Sequence, residues 1–232
     1  MNWRMKQMAL DIGVSSGPTF KSFFAGPNAA VLGHLALWVG DGSRTAARSP
    51  VPTYLWGNDG SGKTHLLKAV ADSLRGKGEL VGWLNASNQE PPEFDERWAA
   101  VLLDDVHLYT SEQQHAAFNW FVNAQTHQRG LFAAGDLPPA DLKLRDDLRT
   151  RLGWGHVFQL QVLSEPEQRA VLRQAADARG LFLGDDVMDF MLTRFSRDLS
   201  SLMELLDLID GYALQTKRSI TIPMIRSMME NS

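Results

Sequence analysis

A chain of 232 residues, 44% hydrophobic and 22% charged, has room for one sizeable domain or for a core domain with a small appendage. It contains no cysteine, which excludes a disulfide framework and any thiolate metal site and agrees with a reducing cytoplasm. The net charge of −4 argues against autonomous gripping of duplex DNA, and neither a secretory leader nor a membrane span is expected, because no long apolar run follows Arg4 and Lys6.

Residues 1–18 are polar and methionine-rich, close on Ser15-Ser16-Gly17-Pro18, and read as a flexible tail outside the core. Phe20, Phe23 and Phe24 follow, then apolar residues at helical spacing over 29–39 and a loop over 40–50. From Thr53 the pattern alternates strand with helix. Strands are expected at 54–56, 80–84, 100–103, 131–134 and 157–160, with helices at 65–74 and 112–125. That alternation predicts an α/β fold in which helices cover both faces of a parallel sheet. After Leu160 the strands stop. Ser164-Glu165-Pro166-Glu167 has the form of a capping box, and Gly180 ends the helix it opens. Further helices are expected from Asp185-Asp186, over 198–215 and from near Thr221. The chain thus divides into a tail (1–18), an α/β core (19–161) and a small all-helical subdomain (162–232).

Between the first strand and its helix lies Gly57-Asn58-Asp59-Gly60-Ser61-Gly62-Lys63-Thr64-His65, which carries the phosphate-loop pattern G-x-x-x-x-G-K-[ST]. Glycines let successive backbone N–H groups curl around a polyphosphate. Lys63 sets a compact positive charge against the outer phosphates, and Thr64 offers a hydroxyl to Mg²⁺. A helix starting near Lys63 points its positive end at the same place. An ordinary Gly-rich turn would not need strand, loop and helix in this order, so residues 57–65 are expected to bind a nucleoside di- or triphosphate.

Val101-Leu102-Leu103 delivers Asp104 and Asp105 at a strand end. One carboxylate can hold the Mg²⁺ shell and a second can orient water; Asp104 is assigned the metal and Asp105 the catalytic role. Asp136, at the end of the next strand, either meets water or phosphate or caps its own loop, since Pro138 and Pro139 follow. By themselves Arg151 and Arg197 read as surface arginines. His107 and His115 have no partner at ligand spacing, and Trp120 between Phe118 and Phe121 reads as core. The absence of G-x-S-x-G and of cysteine leaves covalent hydrolase chemistry unsupported.

The phosphate loop, Leu102-Leu103-Asp104-Asp105, Gly135-Asp136-Leu137-Pro138-Pro139 and Arg151-Leu152-Gly153-Trp154-Gly155 occur in the order found in AAA+ domains of the bacterial replication initiator DnaA. From about Phe20 onward the chain resembles that family. The resemblance implies an AAA+ P-loop NTPase core with a helical lid, taking ADP or ATP with Mg²⁺. Under it Arg151 matches the arginine finger, which completes the nucleotide site of a neighbouring subunit. Arg197 matches the lid arginine that touches the protein's own nucleotide, and Asp136 the sensor of the fourth strand. Phe20, Phe23 and Asn28 fall in the segment that packs around the base. Leu137 stands where relatives commonly carry a basic residue.

DnaA itself continues into a helix-turn-helix domain that grips duplex DNA; this sequence stops at Ser232, so the likeness runs to the short DnaA homologues of the Hda type, which turn the initiator off. Gln7-Met8-Ala9-Leu10-Asp11-Ile12 is similar to the peptide with which such proteins dock on the DNA polymerase sliding clamp (beta subunit). Gln7 can hydrogen-bond a pocket rim while Met8, Leu10 and Ile12 supply apolar anchors, and Asp11 replaces a frequent proline. The resemblance implies a cytoplasmic regulator, associated with nucleoid and replisome, that offers Arg151 to ATP on DnaA and prevents re-initiation. Two other readings fit parts of the chain. An autonomous AAA+ ATPase such as a helicase loader, working as a homo-oligomer, suits the intact Lys63, Asp104 and Asp105. A small-molecule kinase suits the core but leaves the lid and the Gly-Trp-Gly turn unexplained.

Overall fold

The computed structural model describes residues 18–40, 48–195 and 199–230. Its centre is a sheet of five parallel strands: β1 (Thr53–Trp56), β2 (Leu80–Leu84), β3 (Trp98–Leu103), β4 (Gly130–Gly135) and β5 (His156–Gln159). Their spatial order is β2-β3-β4-β1-β5. Leu84 pairs with Leu103, Leu103 with Ala133, Leu55 with Ala134 and Trp56 with Gln159, so the carboxyl ends of all five strands share one rim.

Parallel strands need crossovers, and helices supply them except between β2 and β3, where residues 85–97 cross without one. α1 (Ala29–Val39) precedes β1, α2 (Lys63–Arg75) follows it, α3 (Ser111–Thr126) joins β3 to β4, and the short α4 (Asp146–Leu152) joins β4 to β5. Successive strand residues face opposite ways, and here both ways lead into a core. Tyr54, Val101, Leu103, Leu131 and Ala133 pack with Trp120, Phe121, Leu148 and Leu152 of α3 and α4. Leu55, Ala100, Leu102, Phe132 and Ala134 pack with Leu35, Leu66, Leu67, Val70 and Leu74 of α1 and α2. Burial on both faces is why these strands read as continuous apolar runs.

Each expected strand occurs, with ends shifted by at most two residues; β3 starts earlier because Trp98 packs edge-on against Trp120 at 4.7 Å. Trp120 is core as expected, its ring N–H donating to the Pro92 carbonyl at 3.0 Å. α3 starts at Ser111, where Thr110 and Gln113 form a capping box that the sequence reading overlooked.

The second unit is all helix: α5 (Glu165–Ala178), α6 (Asp185–Arg194), α7 (Leu199–Thr216) and α8 (Ile222–Glu230). It has a core of its own, including Leu172, Met188, Met191, Leu202, Leu206, Ile209 and Ile225. The Ser164–Glu167 capping box is present, and α5 stops before Gly180 with the Leu181 N–H donating to the Ala176 carbonyl. Among the described residues no helix is long and apolar enough to cross a membrane.

Candidate nucleotide site

The phosphate loop leaves β1 at its carboxyl end and turns directly into α2, whose first residue is Lys63. Two glycines are required by their surroundings. A Cβ at Gly57 would run into the Leu160 carbonyl, and one at Gly62 would come within 2.6 Å of the Phe23 ring, at a left-handed φ of 95° that glycine accepts freely. Asn58 and Asp59 are exposed at the tip, while Ser61 is buried and its hydroxyl has no partner among the described residues. A buried, unpaired hydroxyl inside a loop of backbone donors suits an anionic ligand.

Lys63 is 5% exposed. Its ammonium donates to the carbonyls of Gly57 (2.7 Å) and Asn58 (3.1 Å) and forms an ion pair with Asp136 at 2.9 Å. The other Asp136 oxygen lies 3.0 Å from His107 Nε2. Asp136 therefore reaches across to the phosphate loop, where the sequence had left a loop cap equally open. In the sequence His107 has no partner at ligand spacing. Its partner comes from the adjacent strand, because β3 and β4 pair in register and bring the turns that follow them side by side.

Asp104, just beyond β3, is 2% exposed. Burial, and then the charge of Asp105, push its carboxyl up from the usual 3.8 to about 6, against a weaker opposing hydrogen bond from Thr64. Asp105 takes a left-handed backbone conformation (φ 52°) that turns the chain into the 106–108 helical turn. A buried carboxylate beside a threonine hydroxyl is a pair of hard oxygen donors, which fits Mg²⁺. Among the described residues no group of three or more His, Cys, Asp or Glu side chains makes a metal site alone. A Mg²⁺ ion accompanying a nucleotide would be held by Thr64 and Asp104 together with phosphate and water. Bound there, it would neutralise charge on the outer phosphates.

His65 faces elsewhere. Its Nε2 lies 3.0 Å from the Thr19 carbonyl, its ring packs 5.5 Å from Phe23, and burial lowers it below the usual imidazole value. The side chain pins residues 19–23 beside the loop instead of lining it. Asn28 anchors the same segment: its amide exchanges two 2.9 Å hydrogen bonds with the backbone of Gln161, beyond β5.

Arg151 does not join this cluster. It lies on α4 and stacks on the rings of Trp154 (5.0 Å), Phe118 (5.1 Å) and Phe121 (5.8 Å). The sequence made it an exposed surface arginine; it is half-buried, because α4 packs on α3 and presents Arg151 to the aromatic residues there. Arg145 and Arg149 are paired with Asp147 (2.7 Å) and Asp146 (2.8 Å), whereas among the described residues Arg151 has no carboxylate partner. Arg197 and the tail residues Gln7, Met8, Leu10 and Ile12 lie outside the described residues.

Two family models match the chain. The bacterial DnaA ATPase domain matches residues 15–88, and the Hda lid domain matches residues 165–229. Among solved structures, domain III of the Thermotoga maritima initiation protein DnaA superimposes with a TM-score of 0.71 at 18% identity, covering 97% of this chain and 98% of that one. AMPPCP-bound DnaA from Aquifex aeolicus gives 0.65 at 20% identity, over 83% of this chain and 64% of that one. The Thermotoga maritima RuvB Holliday junction branch migration motor gives 0.59 at 16%, over 87% and 68%. Sheet order, phosphate loop, helical lid and both family matches agree: the chain is a DnaA-related AAA+ protein close to Hda.

Proposed function

We propose that this protein is a regulator of replication initiation that binds ADP or ATP with Mg²⁺ at residues 57–64 and supplies Arg151 in trans to ATP on DnaA. Its tail, through Gln7, Met8, Leu10 and Ile12, docks on the sliding clamp, so that hydrolysis follows replication and re-initiation is prevented. It works in the cytoplasm, at the nucleoid. The observation that carries the reading is the state of Arg151. It is the arginine of the α4 region without a carboxylate partner among the described residues, and it stands apart from the chain's own Lys63 and Asp104. A free guanidinium outside the cis site is what an arginine finger requires, since it stabilises charge that develops on a neighbour's phosphates. The Hda lid match over residues 165–229 supports the reading as a regulator.

The test is ATP hydrolysis by DnaA with this protein and DNA-loaded clamp. Wild type should accelerate it, and Arg151→Ala should lose about tenfold or more of that stimulation while still binding ADP and clamp. A second reading, the autonomous ATPase, is favoured by the complete set of Lys63, Thr64, Asp104 and Asp105 around the chain's own loop. If Arg151→Ala leaves DnaA stimulation intact but abolishes this protein's own turnover, the homo-oligomeric motor is the better account.

A further inference from the structure

Trp154 is 63% exposed, which the fold of the core does not require. Its position is nevertheless tightly set. The Trp154 backbone N–H donates to the Arg151 carbonyl at 3.2 Å, and the next residue, Gly155, passes so close to Pro52 that a Cβ would strike its backbone. The ring is thereby turned back onto α4, 5.0 Å from the Arg151 guanidinium and edge-on to Phe121 at 6.5 Å. Phe118 holds the same guanidinium at 5.1 Å and also carries Arg145, which is already committed to Asp147.

We infer that Trp154 is a positioning residue for Arg151, holding the guanidinium in a fixed pose without neutralising it. This rests on the reading of Arg151 as a finger acting in trans. An aromatic face attracts the cation through the ring quadrupole and uses none of the N–H donors directed at a carboxylate or phosphate. A carboxylate partner would occupy those donors and would have to be displaced at every encounter. A bare arginine would instead lose its rotamer freedom at the moment of reaction. The stack avoids both, and indole is the strongest of the aromatic faces for this purpose.

The experiment uses the full chain with DnaA–ATP and DNA-loaded clamp, and measures hydrolysis as this protein is titrated. Trp154→Leu should lower the maximal stimulated rate by about tenfold while the half-saturating concentration stays the same, because misplacing a catalytic group costs rate before it costs docking. Trp154→Phe, which keeps a ring face, should restore most of the loss. ADP binding by both variants should match wild type, as expected for an exposed residue away from the loop. A normal maximal rate in Trp154→Leu overturns the proposal. So does a raised half-saturating concentration with an unchanged maximum, since the ring would then serve docking. Full stimulation by Arg151→Ala overturns the underlying reading, and the proposal with it.

Discussion

Lys63 is held by two backbone carbonyls and by Asp136, so a nucleotide must take the ammonium from partners already in place. The residue type was legible from the motif, but this competition was not. On the proposed reading, removing the ammonium would delete a charge-assisted hydrogen bond to phosphate. Lys63→Ala should therefore raise the dissociation constant for ADP and ATP by on the order of a hundredfold, as calorimetric titration would show; equal affinity would remove the loop from the site. Asp104 gives a second test, in pH. Folded Asp104 keeps its proton up to about pH 6, whereas an unfolded aspartate releases it near 3.8. Between those values the folded state binds more protons, so stability falls as pH rises. Asp104→Asn should therefore stabilise the nucleotide-free protein near neutral pH by on the order of 2–3 kcal/mol, with the gain vanishing below about pH 4. The same variant should weaken binding of Mg²⁺-nucleotide. Thermal melts across pH check the first part; identical melting at neutral pH would show that Asp104 is not strained by burial.

At the scale of elements, the strand–loop–helix order and the lid helices were legible because apolar spacing and caps are local. The tie between the N-terminal segment and the end of β5 was not, since Asn28 and Gln161 are far apart in sequence. Asn28 is 4% exposed and satisfies both backbone groups of Gln161. Asn28→Ala leaves a buried donor and acceptor without partners and should cost about 2–3 kcal/mol in denaturant unfolding. Adenine nucleotide affinity should fall with it, because Phe23 and His65 are set against the loop by the same segment. Stability loss without any change in affinity would mean that the segment only braces the fold. Arg151 belongs here too. Its stack on three rings adds a packing role, so Arg151→Ala should lower stability by about 1 kcal/mol, where an exposed arginine would have changed little.

For the whole molecule, the proposed division of labour separates three activities that can be removed one at a time. Deleting residues 1–13 should abolish co-elution with the sliding clamp and leave ADP binding intact, since extended apolar anchors of this kind work without a folded surface behind them. Normal clamp binding by the truncated chain would place the contact elsewhere. In the same truncated protein ADP should still raise the melting temperature by mass action, which shows that the core folds and binds without the tail.

The sequence alone determined the parallel α/β core, the helical lid and the identity of the phosphate-loop residues, because strand and helix periodicity, caps and a contiguous motif are short-range signals. The tertiary structure decided which distant side chains meet. Asp136 turned out to bridge Lys63 and His107 because β4 lies between β1 and β3 in the sheet. Arg151 turned out to be stacked on rings, with no carboxylate partner among the described residues, because α4 packs on the aromatic face of α3. Neither outcome has a local sequence signature: each depends on strand order and helix packing, which are settled only when the whole apolar surface of the chain is buried at once.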